Sequence, residues 1–580
     1  MRLAVIDKGK CKSNVCALEC KKVCPVNKKG MECVTVEVGQ KAKIDEKTCV
    51  GCGLCVKRCP FGAISVVNLP EICEDNLVHR FGENGFALYG LPIPRQGAVL
   101  GLLGRNGIGK STAVEILAKK IKPNLGKEAT EQDIKDFFQG NELWKYFDLI
   151  KGKEVAYKPQ NLSFLSVNLP VIDLLKQRAE EGKILELAKK LGAEYLLENN
   201  LNKLSGGELQ KIAIMATCLK EADVYFFDEP LAYLDIQERL KISEFIREIS
   251  QGKTCIVVEH DLLILDYLTE YLNIFFGVQG TFGLVSGLKS SSNGVNAYLT
   301  GFLRDENLRI RDTELSFNFT KNTVIAGRKI ADWPDFSLKF DSGFNLNVLS
   351  GEIKSNSVIG ILGKNGTGKT SFVKCLAGLE DVFINGKKQR LKLKLDLSYK
   401  PQYLFVDDSL AEMTVHEIIV KEKINKKVAS SFNLESISLK KIGNLSGGEL
   451  QRFFIARCLS KEAEVYFFDE PSAYLDVEER ITVAKVIKEF MIEKEKTAFV
   501  VDHDLLLVSY LADSAVVFSG ESGKYGETSQ VLSFRDGVSG LLKSLDITLR
   551  KDKDTGRPKI NKKGSVLDRQ QRAAGEWAVL

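Results

Sequence analysis

One ordered series of motifs occurs twice in this chain, and that repeat limits what it can fold into more than any other feature. Each series opens with an apolar segment, Ala98–Leu103 and Ser357–Leu362, that runs into a glycine-rich loop. The loops read Gly104-Arg105-Asn106-Gly107-Ile108-Gly109-Lys110-Ser111 and Gly363-Lys364-Asn365-Gly366-Thr367-Gly368-Lys369-Thr370. Lys-Pro-Gln follows at Lys158–Gln160 and Lys400–Gln402, then Leu-Ser-Gly-Gly-Glu-Leu-Gln at Leu204–Gln210 and Leu445–Gln451. Val-Tyr-Phe-Phe-Asp-Glu-Pro and an apolar segment ending in Glu-His-Asp or Asp-His-Asp close each copy. Ser205 to Asp228 and Ser446 to Asp469 are both 23 positions, which implies two domains of one fold. Asp228 to His260 is 32 positions and Asp469 to His503 is 34, but the first interval differs far more: Lys110 to Gln160 is 50 positions and Lys369 to Gln402 is 33. The first copy therefore carries extra residues, placed within 126–153. Thr130 there is expected to cap a helix, and Trp144, Tyr146 and Phe147 fall in a second short helical pattern. The segment reads equally well as a decorated surface loop or as a docking element.

A strand, a Gly-x4-Gly-Lys-Ser/Thr loop and a helix in succession form a phosphate cradle. Glycine lets backbone N–H groups curl around phosphate oxygens, and the helix N-terminus adds positive potential. Lys110 and Lys369 would reach the β- and γ-phosphates, and Ser111 and Thr370 would ligate Mg²⁺. Candidate nucleotide contacts are Gly104, Asn106, Gly107, Gly109, Lys110, Ser111 and Thr112, with Gly363, Asn365, Gly366, Gly368, Lys369, Thr370 and Ser371 in the second copy. Asp228 and Asp469 end apolar strands, where a carboxylate can hold the Mg²⁺ shell. Glu229 and Glu470 follow at once and can accept a proton from, or orient, an attacking water. Two of the four histidines, His260 and His503, occupy matching positions and are candidate γ-phosphate sensors.

Ten of the 14 cysteines lie in the first 73 residues. They form two runs, Cys11-x4-Cys16-x3-Cys20-x3-Cys24-Pro25 and Cys49-x2-Cys52-x2-Cys55-x3-Cys59-Pro60. The second run matches the bacterial two-cluster ferredoxin pattern, in which the fourth thiolate reaches the other cluster. One [4Fe–4S] cluster is assigned to Cys11, Cys16, Cys20 and Cys59, the other to Cys24, Cys49, Cys52 and Cys55. Zinc is the rival metal, but two runs closed by Cys-Pro favour clusters. Cys33 and Cys73 are left without a ligand role, and Cys218, Cys255, Cys375 and Cys458 read as core residues. No apolar run approaches the ~20 residues that span a bilayer, so a cytoplasmic protein without a membrane partner is expected. A net charge of +6 permits contact with nucleic acid without arguing for it.

Leu-Ser-Gly-Gly-Glu-Leu-Gln resembles the signature motif of the ABC superfamily. That resemblance implies two α/β P-loop domains arranged head to tail, with each ATP between the loop of one and the signature of the other. One site would combine Lys110, Ser111, Gln160, Asp228, Glu229 and His260 with Ser446, Gly447, Gly448 and Glu449. The other would combine Lys369, Thr370, Gln402, Asp469, Glu470 and His503 with Ser205, Gly206, Gly207 and Glu208. Gln160 and Gln402 would join the Mg²⁺ shell and the catalytic group.

A small α+β ferredoxin-like segment ahead of two cassettes is similar to the ABC-E family of ribosome-recycling ATPases. The expected organisation is an iron–sulfur domain over 1–75 and a first cassette over 76–300. A hinge linker (301–325), a second cassette (326–540) and a basic hinge and tail (541–580) follow. In that family Asn307–Arg311 and Asp554–Lys562 belong to a hinge, although a run such as 550–563 alone is more often a solvated tail. The resemblance implies ATP hydrolysis that splits ribosomes into subunits. Implied partners are the small subunit with its RNA and a release factor or Pelota-type factor, for a chain that is monomeric. The rivals are an ATPase subunit of a transporter and an ATP-coupled iron–sulfur electron-transfer protein. The first copy departs from the family at Leu231, where the second has Ser472. Phe81 or Phe86, and Phe336, are the aromatic candidates for stacking on adenine.

Overall fold

The computed structural model describes residues 2–6, 11–37, 40–45, 48–68, 76–82, 85–315, 327–341 and 343–579. Cys73 and positions 316–325 of the linker lie outside the described residues. The chain divides into two compact units. The first takes Met1–Pro230, Ile246–His260 and Thr269–Asp312; the second takes Leu231–Phe245, Asp261–Leu268 and Thr313–Leu580. Two segments from the first motif series thus belong to the second unit.

The first unit begins with an antiparallel ribbon, Arg2–Ile6 against Ile64–Asn68, and three helices of four or five residues, Glu19–Val23, Pro25–Lys28 and Leu54–Arg58. The interior of this region is thin, and Cys11, Cys20, Cys24, Cys33 and Cys55 share it with Ala4, Ile6, Val26, Val34, Ile44 and Ile64. Beyond it lies a nine-stranded sheet. From one edge inward, Val155–Lys158, Val224–Asp228, Thr254–Val258, Val99–Gly104 and Tyr271–Val278 run parallel in that order. Every residue of Val224–Asp228 and Thr254–Val258 is buried. That is why these strands read as unbroken apolar runs rather than alternating ones: both faces of a parallel sheet are covered.

The insertion forms two helices, Glu131–Phe138 and Glu142–Leu149, and Thr130 caps the first in a capping box with Asp133. Phe138, Leu143, Tyr146 and Ile150 are buried in the same core as Leu100, Val114 and Phe226. The Tyr146 hydroxyl donates to the Leu117 carbonyl at 3.1 Å. One face of the insertion is therefore part of the core, while Glu131, Gln132, Lys135, Asp136 and Lys145 stay exposed.

In the second unit an eleven-stranded sheet repeats that parallel order from its edge with Leu397–Lys400, Val465–Asp469, Thr497–Val501, Ser357–Gly363 and Ser514–Glu521. Trp333, Phe336, Phe372, Phe499 and Phe518 build its core. The basic run near the C-terminus is not a solvated tail. It forms a ribbon, Leu549–Lys551 against Pro558–Ile560, and Arg557 is fully buried. Arg557 Nη2 lies 2.6 Å from Asp266 Oδ2, and Lys559 Nζ lies 2.9 Å from the same oxygen. Burial at that depth is tolerable because the guanidinium meets a carboxylate.

Candidate functional sites

Each glycine-rich loop joins a central strand to a helix, Lys110–Leu117 or Lys369–Leu376. Gly109 (φ 98°) and Gly368 (φ 95°) take left-handed backbone at the turn into the helix, a conformation that leaves N–H groups facing inward and excludes side chains. Lys110 Nζ donates to the carbonyls of Gly104 and Arg105, both at 2.7 Å. Lys369 Nζ donates to Gly363 at 3.0 Å and Lys364 at 2.6 Å. Both ammonium groups are thus held inside the curl where phosphate oxygens would sit. Burial pushes Lys369 down to about 8, and an anion in the curl would favour its charged form. Thr112 and Ser371 are half-buried in the first turns of the same helices.

The parallel strands bring the acidic pairs to the end of the sheet that carries these loops. Burial, with Glu229 beside it, raises Asp228 to about 6, and Ser111 Oγ lies 3.4 Å from its Oδ2. Asp469 is likewise raised to about 6 by burial, against the pull of the Thr370 hydroxyl, and among the described residues neither of its carboxylate oxygens has a hydrogen bond of full geometry. A buried carboxylate with unmatched oxygens, beside a threonine hydroxyl and a phosphate curl, suits a hard divalent cation such as Mg²⁺.

The next residue breaks the strand geometry. Glu229 (φ 44°) and Glu470 (φ 48°) are both left-handed, as are Tyr233 and Tyr474 (φ 63° each). For non-glycine residues this is strained and persists only where surroundings enforce it. Gln160 Nε2 donates to Glu229 Oε1 at 2.7 Å, and His260 Nε2 is 3.5 Å from the same oxygen. Gln402 and His503 stand at 2.7 and 3.4 Å from Glu470 Oε1. Burial opposes the charge of Glu229, but His260, Lys110 and Gln160 together hold it down at about 2. Glu470 is lowered by its histidine and Lys369 in the same way.

Sequence reasoning assigned no role to Lys158 and Lys400, although Lys-Pro-Gln marked them in both copies. Each is fully buried at the end of its strand. Lys158 Nζ donates to the carbonyls of Asp228 (2.8 Å) and Glu229 (3.0 Å), and Lys400 Nζ to those of Asp469 (2.8 Å) and Glu470 (3.2 Å). They hold the strained turn from below. Gln451, the last residue of the second signature, adds a bond to the Glu470 carbonyl at 2.6 Å.

The signature turns spend their polar atoms on their own helix ends. Ser205 and Glu208, and Ser446 and Glu449, form capping boxes at the starts of Gly206–Cys218 and Gly447–Ser460. Within the second unit Asn365 donates from its backbone N–H to Asp235 at 2.8 Å and from its side chain to the Tyr233 carbonyl at 3.0 Å. One aromatic candidate needs correction: Phe336 is buried and stacked on Phe372, so no face is left for a base. Half-buried Phe344 stands against Gly368, just as Phe86 stands against Gly109. Phe81 is largely exposed, edge-on to His79.

Two cavities occur in the N-terminal region. Cys11, Cys16, Cys20 and Cys59 line one, with Ile6 and Phe61; Cys24, Cys49, Cys52 and Cys55 line the other, with Val26 and Ile44. Cys33 also borders the second. The thiols stand around each cavity rather than converging: among the described residues no three His, Cys, Asp or Glu come close enough to hold a single metal ion. The space that each set of four thiols lines is where a cluster would sit. Burial raises the Cys20 thiol and pushes Cys55 up to about 11, so thiolates here need the charge of bound iron. Of the isolated thiols, Cys255, Cys375 and Cys458 are buried and Cys218 is half-buried.

Two P-loop cassettes with repeated signatures, behind a cysteine-rich α+β region, define an ABC-type ATPase with a 4Fe–4S-binding segment. The family model described as ABC transporter matches residues 94–232 and 346–473. The 4Fe-4S binding domain matches 42–65, and a possible Fer4-like domain in RNase L inhibitor matches 1–32. An uncharacterized ABC transporter ATP-binding protein of Methanocaldococcus jannaschii is 44% identical, over 100% of this chain and 97% of its own. A structure of ribosome-bound archaeal Pelota and ABCE1 is 42% identical with a TM-score of 0.94, covering 100% of this chain and 99% of that one. An archaeal ribosome recycling factor solved with the stalk protein aP1 is also 42% identical, with a TM-score of 0.82 over 87% of this chain and 99% of that one. The chain belongs to the ABC-E, or RNase L inhibitor, family. No helix among the described residues is long and apolar enough to cross a membrane.

Proposed function

We propose that this protein is a cytoplasmic ribosome-recycling ATPase, working as a monomer, that uses ATP-driven closure of its two cassettes to split post-termination or stalled ribosomes. The observation that carries this reading is the full-length match, iron–sulfur segment included, to a ribosome-bound family member. In the proposed cycle each glycine-rich loop and its lysine bind the triphosphate, and the signature of the other cassette completes the site. Asp228, Ser111 and Gln160, and Asp469, Thr370 and Gln402, would hold Mg²⁺, which when bound neutralises charge on the β- and γ-phosphates. Glu229 and Glu470, kept ionised, hold and orient the attacking water, while Gln160, Gln402, His260 and His503 fix each carboxylate and face the γ-phosphate. Loss of phosphate removes the bridge and releases the closed state.

The two sets of four cysteines would each hold one [4Fe–4S] cluster, which ties together a region with too little core of its own. The small subunit with its RNA, and a release factor or Pelota-type factor, are the proposed partners, and RNA contact would be to phosphate and shape. Sedimentation of ribosomes on a gradient with the protein, ATP and such a factor tests the reading. Conversion of monosomes to subunits is expected; intact monosomes with an ATPase-competent protein would overturn it.

A further inference from the structure

The two cassettes differ at a point that the repeat otherwise leaves invariant. In the second unit Asp502 accepts three hydrogen bonds: from the Ser472 hydroxyl at 2.7 Å, the Ser472 backbone N–H at 3.0 Å and the Asp504 N–H at 2.9 Å. Ser472 lies two residues after the strained Glu470, and Asp502 immediately precedes His503, which faces the Glu470 carboxylate at 3.4 Å. These contacts close a ring from Glu470 through Ser472 and Asp502 to His503 and back. All of it is buried except the face of Glu470 and His503.

At the matching positions the first copy has Leu231 and Glu259. The leucine side chain has no group that can donate, and glutamate carries its carboxylate one methylene further out, where it accepts from the N–H of His260 at 3.2 Å. The two differences go together: a hydroxyl with the shorter acid, a hydrocarbon with the longer one. Leu231 is as buried as Ser472, but its side chain cannot fix direction as a hydroxyl bonded to a carboxylate does.

We propose that Ser472 is a positioning residue of the second nucleotide site: through Asp502 its hydroxyl fixes the Glu470 turn against His503, and the first site has no hydroxyl at the matching position. This rests on the reading of Glu470 as the residue that orients water. The Ser472 hydroxyl is buried and donates to Asp502, so its loss is expected to act on the rate of hydrolysis and not on ATP binding.

The test uses the full chain with its clusters in a Glu229→Gln background, where remaining turnover belongs to the second site. Ser472→Ala is expected to lower kcat about tenfold with KM for ATP within about twofold, the loss of one charge-assisted hydrogen bond at a site that needs precise geometry. Ser472→Thr, which keeps the hydroxyl, is expected to restore most of the rate. An unchanged kcat in Ser472→Ala, a rise in KM alone, or no rescue by a folded Ser472→Thr would overturn the role of Ser472. Turnover in Glu229→Gln/Glu470→Gln equal to that of Glu229→Gln alone would instead overturn the role of Glu470, and the inference with it.

Discussion

Asp469 shows how a single side chain can favour ligand over stability. Its folded-state value near 6 lies above the 3.8 of an unfolded aspartate, so between those values the folded protein binds more protons than the unfolded one. Stability in the nucleotide-free state is therefore lost as pH rises through that window, and none is regained above it. Asp469→Asn removes the titrating charge. Its stability relative to wild type is expected to improve by about 2–3 kcal/mol between pH 4 and 7, followed by thermal unfolding without nucleotide, while Mg²⁺-dependent ATP binding weakens. The glutamates behave oppositely. Glu229, held at about 2, is ionised throughout the working range, so the pH–rate profile should show no limb from its titration above pH 4. Glu229→Gln and Glu470→Gln should each slow turnover at their own site by ~10²-fold or more and prolong a closed, nucleotide-bound form; wild-type rates in both, and in the double variant, would refute the roles.

At the level of elements, the insertion and the cysteine region each invite a measurement. Phe138 is 1% exposed and shares the core of the first unit. Phe138→Ala should cost about 3–5 kcal/mol and lower the unfolding midpoint, whereas substitutions at exposed Lys135 or Asp136 should leave it in place. In the cysteine region five thiols belong to the buried core. Stripping iron with a chelator should therefore unfold residues 2–68, read as lost protection from proteolysis, while nucleotide binding by the cassettes persists.

The strand–loop–helix order, the acidic strand ends and the grouping of the thiols were legible because each is fixed by spacing. The left-handed turns at Glu229 and Glu470 and the lysines beneath them were not, since a buried lysine in an apolar strand announces no partner. Phe336 misled for a related reason: composition tells that an aromatic is present but not which way its ring faces. The insertion's second helix was visible as a pattern at Trp144, Tyr146 and Phe147, but it read as a surface loop or docking element, and only the packing of Phe138, Tyr146 and Ile150 makes one face core.

On the scale of the whole chain, the buried pair Arg557–Asp266 joins residues 291 positions apart. Removing Asp266 takes the carboxylate from both Arg557 and Lys559. Asp266→Ala should destabilise the second unit by about 3–5 kcal/mol, and adding Arg557→Met should recover part of that loss in thermal unfolding, since the fully buried cation is then gone while Lys559 is partly exposed. A midpoint for the double variant below that of Asp266→Ala would refute this account.

The helix Leu262–Leu268 has all seven residues buried, and it belongs to the second unit although the first motif series encodes it. Severing the polypeptide near residue 312 would consequently not yield two self-sufficient halves. The upstream fragment would keep that buried helix without the Arg557 and Lys559 that meet its Asp266, and the downstream one would miss part of its own wall. A twofold motif series thus does not divide at a single cut, and attempts to express either cassette in isolation should produce material that clumps rather than a miniature of the original.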